Sequence, residues 1–386
     1  MENKILTTQV RIRKISLILQ FYFTIRYSFL IKKTNLLNDV FYMKQRILVT
    51  GGTGYIGSHT VVELQNSGYD VVIIDNLSNS REDVVDSIEK ITNIRPAFEK
   101  VDCLDFQALE NVFKKYDGIK GIIHFAASKA VGESVKKPLL YYRNNLVSLI
   151  NLLELMPKYS VDGIIFSSSC TVYGQPDILP VTEEAPIKKA ESPYGNTKQI
   201  NEEIIRDTIA SGSPINSIIL RYFNPIGAHP TALLGELPNG VPQNLVPFLT
   251  QTAMGIREQL SVFGNDYNTP DGSCIRDYIN VVDLAKAHVV AMDRLLNNKQ
   301  LERVEVFNIG TGNGLSVLDL INAFESSTGV KLNYKIAGRR EGDIEKVWAN
   351  PERANNVLGW KAEVSIEETV KSAWNWQLKL REKGIQ

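Results

Sequence analysis

The sequence predicts an α/β fold: a doubly wound parallel sheet with helices on both faces, followed by a smaller mixed α/β lobe. Three observations predict it. Short β-branched runs alternate with amphipathic stretches from residue 43 onward, a pattern that pairs strands in parallel through helical crossovers. The first of these runs, Ile47–Thr50, feeds directly into three glycines spaced three apart, Gly51, Gly54 and Gly57. After Arg221 the texture changes, with Pro225, Gly227, Pro230, Gly235, Pro238, Gly240, Pro242 and Pro247 crowded together, as in a loop-rich, ligand-facing region.

In chain order, strands are expected at Ile47–Thr50, Val71–Ile74, Gly121–Phe125, Gly163–Ser167 and Ser217–Arg221. Helices are expected at Phe106–Lys115, Leu139–Leu155 and Tyr194–Ile209, then at Leu245–Gly255, Val282–Leu296, Ser316–Ser327 and Ser365–Lys379, with short strands between the last four. Residues 43–221 form the first domain by this reading. Residues 222–386 form most of the second, with some segments returning to the first. Residues 1–42 stand apart. They carry seven Lys/Arg against two acids, and the apolar run from Ile15 to Ile31 is broken by Gln20, Thr24 and Arg26. That run falls short of the about 20 apolar residues a membrane span needs. The stretch is read as an extension outside the fold, of the kind a misplaced start site produces.

The 386 residues are 44% hydrophobic and 22% charged, with 43 Lys/Arg balancing 43 Asp/Glu. Neutral balance argues against a general nucleic-acid binder. Cys103, Cys170 and Cys274 are scattered, which favours a reducing compartment, here the cytoplasm, over a disulfide framework. His59, His124, His229 and His288 are equally dispersed, and no metal site is expected.

Strand, glycines and helix in that order describe a dinucleotide site. One glycine permits the tight turn, one lets the backbone approach a pyrophosphate, and one lets helix and sheet pack. The second strand ends in Asp75, placed to meet a ribose 2′-hydroxyl. A carboxylate there repels a 2′-phosphate, so NAD is expected over NADP.

The second motif is Ser192-Pro193-Tyr194-Gly195-Asn196-Thr197-Lys198. Ser192 suits an N-cap and Pro193 the first helical position, which sets Tyr194 and Lys198 on one face, four residues apart. A tyrosine acting as a base near neutral pH needs its ordinary pKa of about 10 lowered by about 3 units, and an adjacent ammonium group and a cationic nicotinamide ring are suitable causes. Ser167-Ser168-Ser169 ends a strand where open α/β sheets bind ligands, and Ser169 is the chosen partner of the reacting hydroxyl. His124 reads as a packed strand-end residue.

Together these motifs resemble the extended short-chain dehydrogenase/reductase superfamily, with a Rossmann-type NAD domain. Further segments are similar to the UDP-glucose 4-epimerase family: Gly51–His59, Lys129–Ser134, Arg221–Pro230, Phe263–Tyr278 and Arg339–Asp343. The likeness runs from Met43 to the C-terminus. It implies a homodimer, paired through Leu139–Leu155 and Tyr194–Ile209, that interconverts UDP-galactose and UDP-glucose with a tightly held NAD. Tyr194 would take the proton of the sugar 4-hydroxyl while hydride passes from C4 to NAD, with return to the other face of the sugar. Lys198 would hold the nicotinamide ribose and depress the Tyr194 pKa, and Ser169 would bridge Tyr194 and the substrate. The resemblance places Tyr55, Ile56, Asp75, Asn76, Asp102 and Cys103 along the cofactor, with Phe125, Ala126, Ala127, Lys129, Asn144 and Phe223. Around the UDP-sugar it places Arg276 and Arg340 as a diphosphate clamp, with Asn224, Asn244, Leu245, Phe263, Asp343 and Val347.

Val347 stands where some members carry a tyrosine beside the sugar 2-position. The smaller side chain extends the expected substrates to UDP-GalNAc and UDP-GlcNAc. Cys170, Ser273 and Asn280 replace an alanine, a threonine and a histidine common in the family. The rival 4,6-dehydratases place Asp-Glu directly after the Ser/Thr, where this chain has Cys170-Thr171. A non-catalytic NAD sensor is the rival from another class.

Overall fold

The computed structural model describes residues 44–340 and 344–385. The expected extension over residues 1–42 and the substrate residue Asp343 lie outside the described residues. From Gln45 onward the chain forms one compact unit.

Its elements run β1 (Arg46–Thr50), α1 (Tyr55–Asn66), β2 (Asp70–Asp75), α2 (Val84–Thr92), β3 (Ala97–Lys100), α3 (Phe106–Lys115) and β4 (Ile119–His124). Next come α4 (Val131–Lys136), α5 (Pro138–Lys158), β5 (Gly163–Ser169), α6 (Pro193–Ala210), β6 (Asn216–Tyr222) and β7 (Asn224–Ile226). Then follow α7 (Leu245–Ala253), β8 (Leu260–Phe263), β9 (Ile275–Asn280), α8 (Val281–Leu296) and β10 (Val304–Ile309). The chain closes with β11 (Gly314–Ser316), α9 (Val317–Thr328), β12 (Tyr334–Ala337), β13 (Lys346–Val347) and α10 (Ile366–Glu382).

The main sheet has seven strands in the order β10-β6-β5-β4-β1-β2-β3, all parallel. Both faces are covered, which explains the unbroken apolar runs of the inner strands. Along β1, Ile47 and Val49 enter the core against α1 and α8, while Leu48 enters the opposite core against α3 and α5. In β2, Val71 and Ile73 divide from Val72 and Ile74 in the same way.

Strand order reverses beside β1, since β2 and β3 lie to one side and β4 to the other. The carboxyl ends of β1 and β4 therefore border the crevice where open α/β sheets bind ligands. The loops there touch: Gly51 has φ +70°, and a Cβ on it would sit 2.9 Å from the Ala126 nitrogen.

A smaller mixed sheet carries β9 at its centre, with β11 antiparallel and β13 parallel to it and β7 pairing its far end. A two-stranded sheet joins β12 and β8. Val246, Leu249, Val262, Phe324 and Val370 form the core beneath them.

Candidate active site

The glycine turn is built to receive an anion. Gly54 is the N-cap of α1, and no side chain caps the helix, leaving its first N–H groups to face the crevice. A Cβ on Gly57 would run into the Gly51 carbonyl oxygen, so helix and turn approach as closely as only glycine permits. Asp75 ends β2 nearly buried. Its Oδ1 accepts from the Leu77 N–H at 2.9 Å and the Ser80 hydroxyl at 3.0 Å, and its Oδ2 from the Thr53 N–H at 3.3 Å. Asn76 donates to Asp102 at 3.0 Å, which in turn accepts from the Leu104 N–H at 2.9 Å. A dinucleotide fits this cradle: N–H groups for the pyrophosphate, carboxylates for ribose hydroxyls.

Nearby, Cys103 is buried, and burial pushes its thiol up to about 12. The Phe125 N–H donates to the Thr50 carbonyl at 3.1 Å, and the Ala126 N–H to the Thr50 hydroxyl at 3.3 Å. Asn144 donates to Ser128 at 3.1 Å, and Phe223 is buried beside Tyr173 and Val347. Ile56 and Ala127 are half-buried around the same loops. His124 packs as expected: its Nδ1 lies 2.8 Å from the Thr50 hydroxyl, and burial, helped by the Lys198 charge, lowers its pKa to about 3.

The reacting groups meet at the end of β5. Ser192 caps α6 by accepting from the Gly195 N–H at 3.2 Å, and Pro193 occupies the first turn. This start fixes Tyr194, Lys198 and Glu202 along one buried face, a turn apart. Ser169 accepts from the Thr171 N–H at 3.3 Å. Burial pushes the Tyr194 phenol up to about 12, with Cys170 adding to the rise and a hydrogen bond from Ser169 opposing it. Lys198 is lowered to about 8 by burial, against the pull of Glu202. Its Nζ donates to the Ser167 carbonyl at 2.7 Å and lies 5.9 Å from the centre of the Tyr194 ring. Lys198 is expected to depress the Tyr194 pKa; here desolvation is the largest effect on both groups.

On the opposite wall, Arg276 donates to the Ile275 carbonyl at 2.9 Å, and its charge reaches the Cys170 thiol beside Ser169. Val347 is Arg276's partner in the β13–β9 register. It is buried in a cluster with Tyr173 and Phe223, with Cys170 packed against it. The Arg340 guanidinium lies 5.5 Å from the centre of the half-exposed Phe263 ring. Asn224 opens β7. Asn244 is the N-cap of α7, yet its side chain does not cap the helix, which leaves the Leu245 and Val246 N–H groups uncapped; Pro247 has none, and the Phe248 N–H donates to the Asn244 carbonyl.

Two features escaped the sequence reading. Glu202 forms a buried ion pair with Arg221 under the reacting face. Its place a turn beyond Lys198 was the available signal. Glu236 pairs with Lys129 at 3.4 Å and accepts from Asn244 at 2.6 Å. A single acid in a Pro/Gly-rich loop gives no such signal.

A family model described as GDP-mannose 4,6 dehydratase matches residues 48–373. The chain is 50% identical over 331 residues to the UDP-glucose 4-epimerase of Bacillus subtilis (strain 168), covering 86% of this chain and 96% of that one. It is 52% identical over 337 residues to the bifunctional protein GAL10 of Pachysolen tannophilus, covering 86% of this chain but only about half, 49%, of that longer protein. The crystal structure of UDP-glucose 4-epimerase from Bifidobacterium longum, in complex with NAD+ and UDP, superposes with a TM-score of 0.83 at 46% identity, covering 87% of this chain and 98% of that one. Matches of this extent, to relatives of nearly the same length as the folded unit, show that the chain belongs to the UDP-glucose 4-epimerase family, within the wider group that the GDP-mannose 4,6 dehydratase model describes.

Proposed function

We propose that this protein interconverts UDP-galactose and UDP-glucose by inverting the sugar at C4, retaining NAD through each cycle. The observation that carries the reading is the convergence of Tyr194, Lys198 and Ser169 at the end of β5, facing the glycine turn of the same sheet. When bound, NAD supplies a hydride acceptor and donor at C4 and a positive ring that favours the phenolate. Tyr194 Oη takes the proton of the 4-hydroxyl and later returns it, with Ser169 Oγ as the bridging hydroxyl. Bringing a phenol at about 12 down to neutrality requires about 7 kcal/mol of selective phenolate stabilisation. Lys198 supplies part of it, since at a pKa of about 8 it remains charged at neutral pH.

Arg276 and Arg340 offer the cations a diphosphate needs. The open N-terminus of α7 adds N–H donors. Val347 leaves space beside the sugar 2-position that a tyrosine would fill, which extends the substrates to UDP-GlcNAc and UDP-GalNAc. Dehydration is disfavoured, because Cys170 and Thr171 occupy the positions of its acid/base pair, and a thiol pushed up to about 12 is no substitute. A sensor role is disfavoured by the complete reacting set. The exposed Leu139 and Leu140 at the start of α5 support a homodimer formed through α5 and α6. No helix among the described residues is long and apolar enough to cross a membrane. The three free cysteines support the cytoplasm.

The test is UDP-galactose turnover by purified protein without added NAD, with UDP-glucose followed by a coupled assay. Turnover is expected. None, even with NAD supplied, would transfer the reading to another nucleotide sugar.

A further inference from the structure

Glu236 sits in the long loop between β7 and α7, and the far end of the chain holds it there. The Trp376 indole of α10 donates from Nε1 to the Glu236 carbonyl at 3.0 Å. A Cβ on the preceding Gly235 would land on the same ring, 2.5 Å away, so the loop is seated in one position. The Glu236 carboxylate is only 11% exposed. One of its oxygens, Oε1, serves two partners: Asn244 Nδ2 at 2.6 Å and Lys129 Nζ at 3.4 Å. Its charge also raises the Tyr55 phenol, after burial, and the Tyr55 hydroxyl donates to the Gly227 carbonyl at 2.7 Å.

The two partners lie on different sides of the crevice. Lys129 follows β4 with the loops that border the glycine turn, whereas Asn244 precedes α7 in the smaller lobe. Asn244 is the N-cap residue of α7, but Pro247 at the third helical position offers no N–H, and the Asn244 side chain makes no cap bond. Its amide instead donates from Nδ2 to Glu236. Both donors share the one oxygen Oε1, so drawing Lys129 toward a phosphate or ribose changes what Asn244 faces.

We propose that Glu236 is a positioning residue that couples the two halves of the site, so that occupancy by the dinucleotide changes affinity for the UDP-sugar, and the reverse. The assignment of Lys129 and Asn244 to those halves rests on the function proposed above. Glu236 touches no reacting atom. It acts through the lysine and the amide.

The experiment is a pair of double-mutant cycles on the protein as purified. Glu236→Gln keeps the shape, an acceptor for Asn244 and the backbone bond to Trp376, so the loop stays seated and the charge alone is lost. In the first cycle, UDP affinity is measured by calorimetry. Lys129→Met is expected to weaken UDP binding about fivefold in the wild-type background and to have no effect in the Glu236→Gln background. In the second, NAD release is measured with no UDP-sugar present. Asn244→Ala is expected to change the release rate about fivefold with Glu236 in place and not at all in Glu236→Gln. Equal effects in both backgrounds, in either cycle, would overturn the coupling. A wild-type protein that holds NAD but binds no UDP would sink the substrate reading and leave the NAD cycle to decide the coupling.

Discussion

Arg221 on β6 and Glu202 on α6 form a two-point ion pair sealed beneath the reacting face, with Nη2 2.5 Å from Oε2 and Nε 2.9 Å from Oε1. Each side chain is about 4% exposed. Ser168 donates to the same carboxylate at 2.6 Å, and Arg221 also donates to the Tyr173 hydroxyl at 2.9 Å. Glu202 stands a turn beyond Lys198, and Lys198 a turn beyond Tyr194. The pair therefore ties the helix that carries the reacting groups to the strand beneath it.

Removing one partner strands the other. Glu202→Gln is expected to cost about 3–5 kcal/mol by leaving the Arg221 charge buried without compensation. Urea unfolding reads the loss, and the double variant Glu202→Gln/Arg221→Met should recover much of it. No drop in the single variant would mean that water reaches the pair. Since the Glu202 charge raises Lys198 against burial, the variant should also lower the Lys198 pKa below its present value.

Tyr194→Phe removes one oxygen and leaves the ring in place. Turnover of UDP-galactose is expected to fall about 10²–10⁴-fold, the range for a positioned acid/base group. NAD content, measured after denaturing the purified protein, should not change. Loss of NAD in step with activity would make Tyr194 a binding residue.

Val347→Tyr narrows the wall beside Arg276. Turnover of UDP-GlcNAc is expected to fall at least about tenfold relative to UDP-galactose. A wild-type protein that turns over UDP-galactose but neither N-acetyl sugar would refute the space argument before any variant is made.

His124 gives a pH dependence with a definite sign. Its pKa falls from 6.5 to about 3 because the fold buries it neutral. Between those values the unfolded chain binds a proton that the folded protein refuses. The contribution is complete above about pH 6.5 and is lost as the pH falls toward 3. His59 and His288, lowered by burial to about 4, act in the same direction. In His124→Gln, stability between pH 6 and 4.5 should fall less steeply, by at most about 1.4 kcal/mol per pH unit, the slope of one proton. Parallel curves of urea midpoint against pH in the two proteins would show that His124 titrates in the fold as it does in the unfolded chain.

What could be read from the sequence depended on how local the cause was. β1, the glycine turn, α1 and β2 were legible because strand, turn and cap are written in one short stretch. The Ser192–Lys198 start was legible for the same reason. β3 was missed. As an edge strand with no fully buried residue, Ala97–Lys100 needs no apolar alternation and shows none. β10 is among the short strands expected between the C-terminal helices, where no turn motif marks its bounds. Glu236 was invisible because the tryptophan that buries its loop comes 140 positions later. Motif spacing places an ammonium near Tyr194 but carries nothing of the desolvation that pushes its phenol up.

The order of the main sheet has a bearing on how the protein is made. Its last strand, β10, comes after the whole of β7 through α8, and among the described residues it alone covers the outer edge of β6. α8, which seals one face by setting Met292 against Gly121 and Leu295 against Gly163, also arrives late. A nascent chain that has emerged only as far as β6 holds every reacting residue, yet presents an open strand edge and an uncovered apolar face. Any product that stops before Val304, through a premature stop codon or a proteolytic cut, inherits that sticky edge. Such fragments belong to the work of chaperones and proteases, however intact their motifs.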